Sequence, residues 1–404
     1  MKKVVLCAMA LMGGSIMFAQ NNTSTVNQTG NGNLNGTLQM GVSNTSDVDQ
    51  TGDFNLNGTL QLGILNVSDT DQEGNANLAA TAQLGNANNA KTLQQGDANA
   101  AATLQNGVGN DADTWQEGVS NNSITEQEGI FNISYVDQWG SYNTSSVNQD
   151  GDFNTSRFEN WGDYNSNIVE QTGNFNNSDV FQIGDYNASE VYQIGTSNDA
   201  KTYQTGDSNT SYVYQLGNNN NSDVDQIGDN NRSNVDQRGN RNKSDVMQQG
   251  DFNASDAYQW GNRNKSAVDQ VGNYNYSYLY QAGNRNESDV NQNGDNNRAI
   301  TSQYIGNDNT STVYQFGDDN LSDVSQNGND NWSWVGQLGF DNESFVNQDG
   351  NNNLNIVGQA GLSHYSNVSQ TGNNNLSIVG QLGVGNTANL TQNGNGNASI
   401  ILQN

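Results

Sequence analysis

A Val or Thr returns every eleven residues through most of this chain, two positions before a Gln, with polar residues at the alternate places around it. Within one unit Asn44, Ser46, Val48 and Gln50 are spaced by two, as are Asn220, Ser222, Val224 and Gln226. An extended strand turns such a set to a single face. The positions between them vary freely: the place of Asp47 is taken by Lys91, Tyr212, Trp334 and Ile378 in other units. The pattern predicts strands that carry Asn, Ser, Val and Gln inward and the variable set outward. That interior is mostly polar, the inverse of the usual apolar-in arrangement.

Written from its Gln, the unit is Gln-x-Gly-x-x-Asn-x-Ser-x-Val-x. Gln28, Gly30 and Asn33 open the series; Gln50, Gly52 and Asn55, then Gln226, Gly228 and Asn231, and near the end Gln392, Gly394 and Asn397 repeat it. The segment between Gln and Asn reads as a turn, with Gly supplying a positive φ and Asn closing it. A buried amide left unpaired costs about 1–3 kcal/mol. Stacked on its own copies at the strand spacing of about 4.8 Å, each amide can donate to the next and accept from the last. Gln and Asn ladders and turn glycines are therefore the expected structural residues. Three irregularities stand out: Asn160 in place of a Gln, His364 in place of an Asn, and one extra residue at Tyr304 or Ile305.

One strand and turn cannot bury a face alone, but two units facing each other can. The outer residues show that pairing, since Gly36-Thr37-Leu38-Gln39-Met40 and Gly58-Thr59-Leu60-Gln61-Leu62 alternate with Asp47-Val48-Asp49-Gln50-Thr51 and Asp69-Thr70-Asp71-Gln72-Glu73. The fold class that follows is all-β: a parallel β-solenoid of two sheets, with strand-turn-strand-turn coils of about 22 residues built from 11-residue half-repeats. It runs continuously over residues 20–404 as about seventeen coils.

Composition alone points elsewhere. The 404 residues carry a net charge of −29, a mean hydropathy of −0.82 and no Pro, and low hydropathy with high charge marks disorder. A disordered chain has no reason to hold three residue types in register over hundreds of positions. Residues 1–19 differ from the rest: Lys2 and Lys3 precede an apolar run, the layout of a secretory signal peptide. Cys7 lies inside it, so the exported chain is expected to be free of thiols and disulfides. Without Lys2 and Lys3, 11 basic residues face 42 acidic ones, which disfavours nucleic acid and anionic lipid as partners. No membrane-spanning segment is expected in the mature chain.

The ends are the expected assembly surfaces. Ser24, Val26 and Gln28 already fit the unit, and Ser399, Ile401 and Gln403 still do. Uncapped strand edges are templates for another chain, and a head-to-tail contact that does not close makes filaments. The unit resembles the curlin repeat of the curli major subunits, bacterial functional amyloids of the biofilm matrix. The match runs from Ser46 through Gln50 to Gly52 and Asn55, and recurs along essentially the whole mature chain. The resemblance implies a secreted protein that leaves through a curli-type outer-membrane channel, meets a nucleator subunit and grows into a homopolymeric, adhesive cell-surface fibre. Only Gln20 to Thr23 precede the first unit, where curli subunits carry a non-repeat leader.

Other functions are weighed against that reading. No catalytic, cofactor or metal residues are expected: His364 is the single His, and the many Ser residues lack a partnered base. A monomeric solenoid acting in ice binding or as an adhesin is the alternative, invited by Thr59, Thr70, Thr81, Thr92, Thr103, Thr114 and Thr125. Their parity with Gln places them inside. Outward pairs such as Asp47 with Asp49 and Asp223 with Asp225 could share a cation, but the turn pattern of calcium β-rolls is absent. Outward Trp139, Trp161, Trp260, Tyr192, Tyr203 and Tyr214 would suit bundling or adhesion.

Overall fold

The computed structural model describes residues 21–404; the signal-peptide reading of residues 1–19 lies outside the described residues. All regular structure there is β, in thirty-five strands from Thr23–Thr29 to Ala398–Gln403. The chain divides into two units, Met1–Ser197 and Asn198–Asn404, and the described residues of each form a parallel β-solenoid.

In the first unit each strand pairs with the strand 22 residues on, so that like residues align: Ser46 lies beside Ser68, Val48 beside Thr70 and Gln50 beside Gln72. Odd and even strands form two separate sheets, and each coil is strand, turn, strand, turn. The second unit repeats the design, with Ser222, Val224 and Gln226 beside Ser244, Val246 and Gln248. Together the units account for about 17 turns.

The faces are those the periodicity predicts. Asn44, Ser46, Val48 and Gln50 are buried, while Thr45, Asp47 and Asp49 between them are exposed. A Val rung such as Val224 or Val335, shielded from water on both sides, contributes on the order of 1.5 kcal/mol over an exposed one. The Thr series from Thr59 to Thr125 is also buried, so it presents no outward Thr array.

Each turn holds two residues at positive φ. In the turn after Gln50 these are Gly52 at +111° and Phe54 at +61°. A Cβ on Gly52 would stand 2.0 Å from the carbonyl oxygen of Gly74 in the next coil. Glycine is thus required twice over, by φ and by the approach of the coil stacked upon it. The extra residue at Tyr304 and Ile305 forms a bulge in strand Arg298–Asn307, with the register shifting between Gln281 and Gly283 of its neighbour. Both bulge residues are exposed, and the Gln ladder beside them is unbroken, Gln281 to Gln303 to Gln326.

Candidate assembly interface

The Gln column is a continuous directional ladder in most coils. Nε2 of Gln28 donates to Oε1 of Gln50 at 2.6 Å, Gln226 donates to Gln248 at 2.8 Å, and Gln370 donates to Gln392 at 2.9 Å. The second proton of each amide crosses the core: Gln226 reaches the carbonyl of Thr210 at 3.2 Å and Gln392 that of Leu376 at 2.9 Å. One side chain thereby ties two coils and two sheets.

The inner Asn column works differently from the amide-to-amide ladder expected of it. Nδ2 of Asn33 donates to the carbonyl of Gly52 at 2.8 Å, while its Oδ1 accepts the backbone N–H of Asn55 at 2.9 Å. Asn231 does the same with Gly250 at 2.7 Å and Asn253 at 3.0 Å. Amide-to-amide donation is an added contact in some coils, as from Asn397 to Asn375 at 3.0 Å. The reason is geometric: a turn leaves a Gly carbonyl and an Asn N–H facing the coil before it, and buried backbone groups need partners.

A second polar column was not singled out from the sequence. The residue after each turn Gly is commonly Asp or Asn, and its Oδ1 accepts an N–H from the coil before. Asp53 accepts from Asn31 at 2.7 Å, Asp251 from Asp229 at 2.9 Å and Asn262 from Asn240 at 3.0 Å. Asp and Asn suit a turn by residue type; at Asp53, Asp185 and Asp251 the bonds between coils add to it. The signal was present in the recurring Gly-Asp and Gly-Asn pairs. Inner Asn reaches toward higher residue numbers and turn Asx toward lower ones, so each turn is clamped from both sides.

The inner Ser column is not so well served. Oγ of Ser46, Ser68 and Ser344 is buried with no hydrogen-bond partner among the described residues, whereas Ser266 donates to Ser244 at 2.9 Å. Small volume explains the residue, since Ala90, Ala112 and Ala299 fill the same slot. His364 fits an Asn slot by matching its atoms. Nδ1 accepts the N–H of Asn386 at 3.2 Å, and Nε2 lies 3.2 Å from the carbonyl of Ala360.

At the turn tips, the second positive-φ residue stacks on its copies in exposed columns. In the first unit, Phe131, Phe153 and Phe175 form one, with ring centroids 5.5 and 5.0 Å apart, and Tyr142, Tyr164 and Tyr186 another, at 4.8 and 4.9 Å. On an outer face Trp115, Trp139 and Trp161 follow at 5.3 Å steps. Two outward acids, Asp69 and Asp137, are held above the usual carboxylate range. Burial and then the charge of Asp47 raise Asp69, and burial with Glu159 and Asp113 pushes Asp137 up to about 6.

The end strands differ from their inner copies. Among the described residues strand Thr23–Thr29, with Ser24, Val26 and Gln28, pairs on one side only, with Thr45–Thr51; Val26 is 40% exposed where Val48 is 0%. Ser399, Ile401 and Gln403 lie in the last strand, paired with Leu376–Val384, and are half-buried. The turn glycines follow suit: a Cβ on Gly30 or Gly228 meets a carbonyl at 1.9 or 2.2 Å, whereas one on Gly394 meets only Nδ2 of Asn397, at 3.6 Å.

No helix among the described residues is long and apolar enough to cross a membrane. No curated protein matches this chain. The curlin associated repeat family matches it over residues 195–228, 261–292, 283–317 and 317–350. With coils of two such units, an inner Gln ladder and turns clamped by Asn, the chain carries curlin associated repeats over these residues.

Proposed function

We propose that the protein is the structural subunit of an extracellular, curli-like amyloid fibre, growing as the last coil of one copy templates the first coil of the next. The observation that carries this is the one-way Gln ladder. In most coils Nε2 donates to the Oε1 one coil on, as from Gln381 to Gln403 at 2.9 Å. Among the described residues Oε1 of Gln28 and Gln39 is left without a ladder donor, while Gln392 and Gln403 keep a ladder proton to give. Inner Asn repeats the complementarity: among the described residues Asn386 and Asn397 hook no turn carbonyl ahead of them. What one end lacks the other supplies, and such a heterologous contact propagates without closing.

In this reading the chain is exported, meets a nucleator subunit at the cell surface after leaving through a curli-type outer-membrane channel, and serves in a biofilm matrix. The exposed Phe and Tyr columns support surface adhesion by the same fibre. Burial of the Thr series removes the feature that invited ice binding.

The test follows thioflavin-T fluorescence after dilution of the mature chain from denaturant, then fibre diffraction of the product. A lag abolished by preformed seeds, with reflections near about 4.8 and 10 Å, is expected. A soluble β-rich monomer that never polymerises would overturn the proposal.

A further inference from the structure

Basic residues are scarce in this chain, 13 in all, yet five of them crowd one edge of the second unit. Three successive coils carry Asn240-Arg241-Asn242-Lys243, Asn262-Arg263-Asn264-Lys265 and Asn284-Arg285-Asn286-Glu287. The next two coils carry Asn307-Asp308-Asn309-Thr310 and Asn329-Asp330-Asn331-Trp332. Arg241, Arg263, Arg285, Asp308 and Asp330 all occupy the second positive-φ position of the turn, at +56° to +59°. They therefore form one column, stepping by about 4.8 Å from coil to coil.

The column is rigid. The backbone N–H of Arg263 bonds to the carbonyl of Asn240 at 2.9 Å, and that of Arg285 to Asn262 at 3.0 Å. Beside it runs a side-chain amide ladder, Asn240 to Asn262 to Asn284, at 3.0 Å per step. Arg285 forks onto Asp308, Nε to Oδ1 at 2.6 Å. Among the described residues the exposed guanidinium groups of Arg241 and Arg263 make no ion pair, despite 42 acidic residues in the chain.

Read along the stack, the column is three positive charges followed by two negative ones, which is complementary to itself when reversed. We infer that this edge pairs with the same edge of a second copy, antiparallel, about a two-fold axis between the levels of Arg285 and Asp308. Arg285 then faces Asp308 of the other copy, and Arg263 faces Asp330, each contact occurring twice by symmetry. Lys265 meets Trp332, a cation over an indole, and Glu287 meets Thr310. No like charges oppose each other among these residues. The parallel arrangement is excluded by the same column, because it sets arginine against arginine at three levels. Planar guanidinium groups suit bidentate capture of carboxylates, and their fixed backbone lowers the ordering cost of pairing. The contact lies on the side of the stack, so it does not depend on end-to-end growth.

The experiment measures self-association of the full chain by sedimentation velocity directly after transfer from denaturant, at low and high salt. Arg263→Glu, Asp330→Arg and the double exchange R263E/D330R are compared. Each single change puts like charges at two symmetric contacts and is expected to weaken dimerisation by at least about tenfold, as high salt does. The double exchange restores complementarity and should restore the dimer. All three are exposed turn-tip changes at a position that already accepts Arg, Asp, Phe and Tyr, and far-ultraviolet dichroism checks that each folds. A monomeric wild type, single variants that dimerise normally, or a double variant that stays monomeric would each overturn the inference. Retention of a monomeric wild type, but not Arg263→Glu, on a sulfated polysaccharide would assign the arginines to a polyanion instead. If fibres fail to form but the dimer behaves as stated, the fibre proposal falls and this one stands.

Discussion

Gln138 donates not to an amide one coil ahead but across the core to Oγ of Ser145, at 2.9 Å. The rung it would meet is Asn160, one methylene too short, and the same strand carries Phe158 where other strands carry Val. The extra volume of Phe158 offsets the missing reach of Asn160, and Asn167 on the facing sheet bonds to the shortened amide.

Asn160→Gln alone is therefore expected to overpack against Phe158 and to destabilise by about 1–3 kcal/mol. Combined with Phe158→Val it should rebuild the ladder and recover at least the loss. Chemical denaturation of the two variants decides this; a stabilised single variant would refute the volume trade.

Turn glycines and strand glycines should respond oppositely to a methyl group. A Cβ on Gly250 would lie 2.1 Å from the carbonyl of Gly272, at φ +113°, whereas one on Gly58 meets nothing within 4 Å. Gly250→Ala should cost more than the roughly 1–3 kcal/mol of backbone strain alone, and expose the amides of flanking coils to hydrogen exchange. Gly58→Ala should be neutral or stabilising.

Ser344→Ala should stabilise by about 1 kcal/mol, because it removes a buried hydroxyl that has no partner among the described residues. The thermal midpoint reads this directly. A fall in midpoint would mean that the hydroxyl is satisfied in solution.

Stability should rise as pH falls from neutrality toward 4. Asp137 has a folded pKa of about 6, raised from 3.8 by burial and by Glu159 and Asp113. Between those values the folded chain binds more protons than the unfolded one, so the contribution is complete below 3.8 and is lost as pH rises through 6. Asp69, Asp71, Asp223 and Asp289 shift in the same direction, burial leading. Melting curves across this window should show the trend, and Asp137→Asn should flatten its upper part.

End rungs should matter more for growth than inner ones. Gln28→Ala is expected to slow seeded elongation more than Gln237→Ala, which removes a fully buried mid-ladder rung and should act mainly on stability. Equal elongation rates for the two would argue against templating at the ends.

The strands, their inward face and the turns were legible because each leaves a fixed residue at a fixed interval: Val48 and Gln50 announce a buried face, Gly52 a turn. What Asn33 touches was not legible. Its partner is the Gly52 carbonyl, a backbone atom present in every unit and so without any signature of its own. The turn-tip columns escaped for the opposite reason. A position that accepts Phe54, Arg241 and Asp308 reads as unconstrained, although its φ is nearly the same in all three; only the 22-residue stacking turns that variety into rows of like side chains.

Asparagine ages when the backbone nitrogen that follows it attacks its side-chain carbonyl, which makes it one of the least durable residues. Here that nitrogen is occupied: the N–H after Asn44, on Thr45, bonds to Asn66 at 2.8 Å, and the same bond protects Asn375 through Leu376 and Asn397. In the last described coil the nitrogens of Thr387 and Ala398, after Asn386 and Asn397, make no such bond among the described residues. Deamidation should therefore begin there and proceed inward one coil at a time, so that each coil added sets the chemical lifetime of the one beneath it.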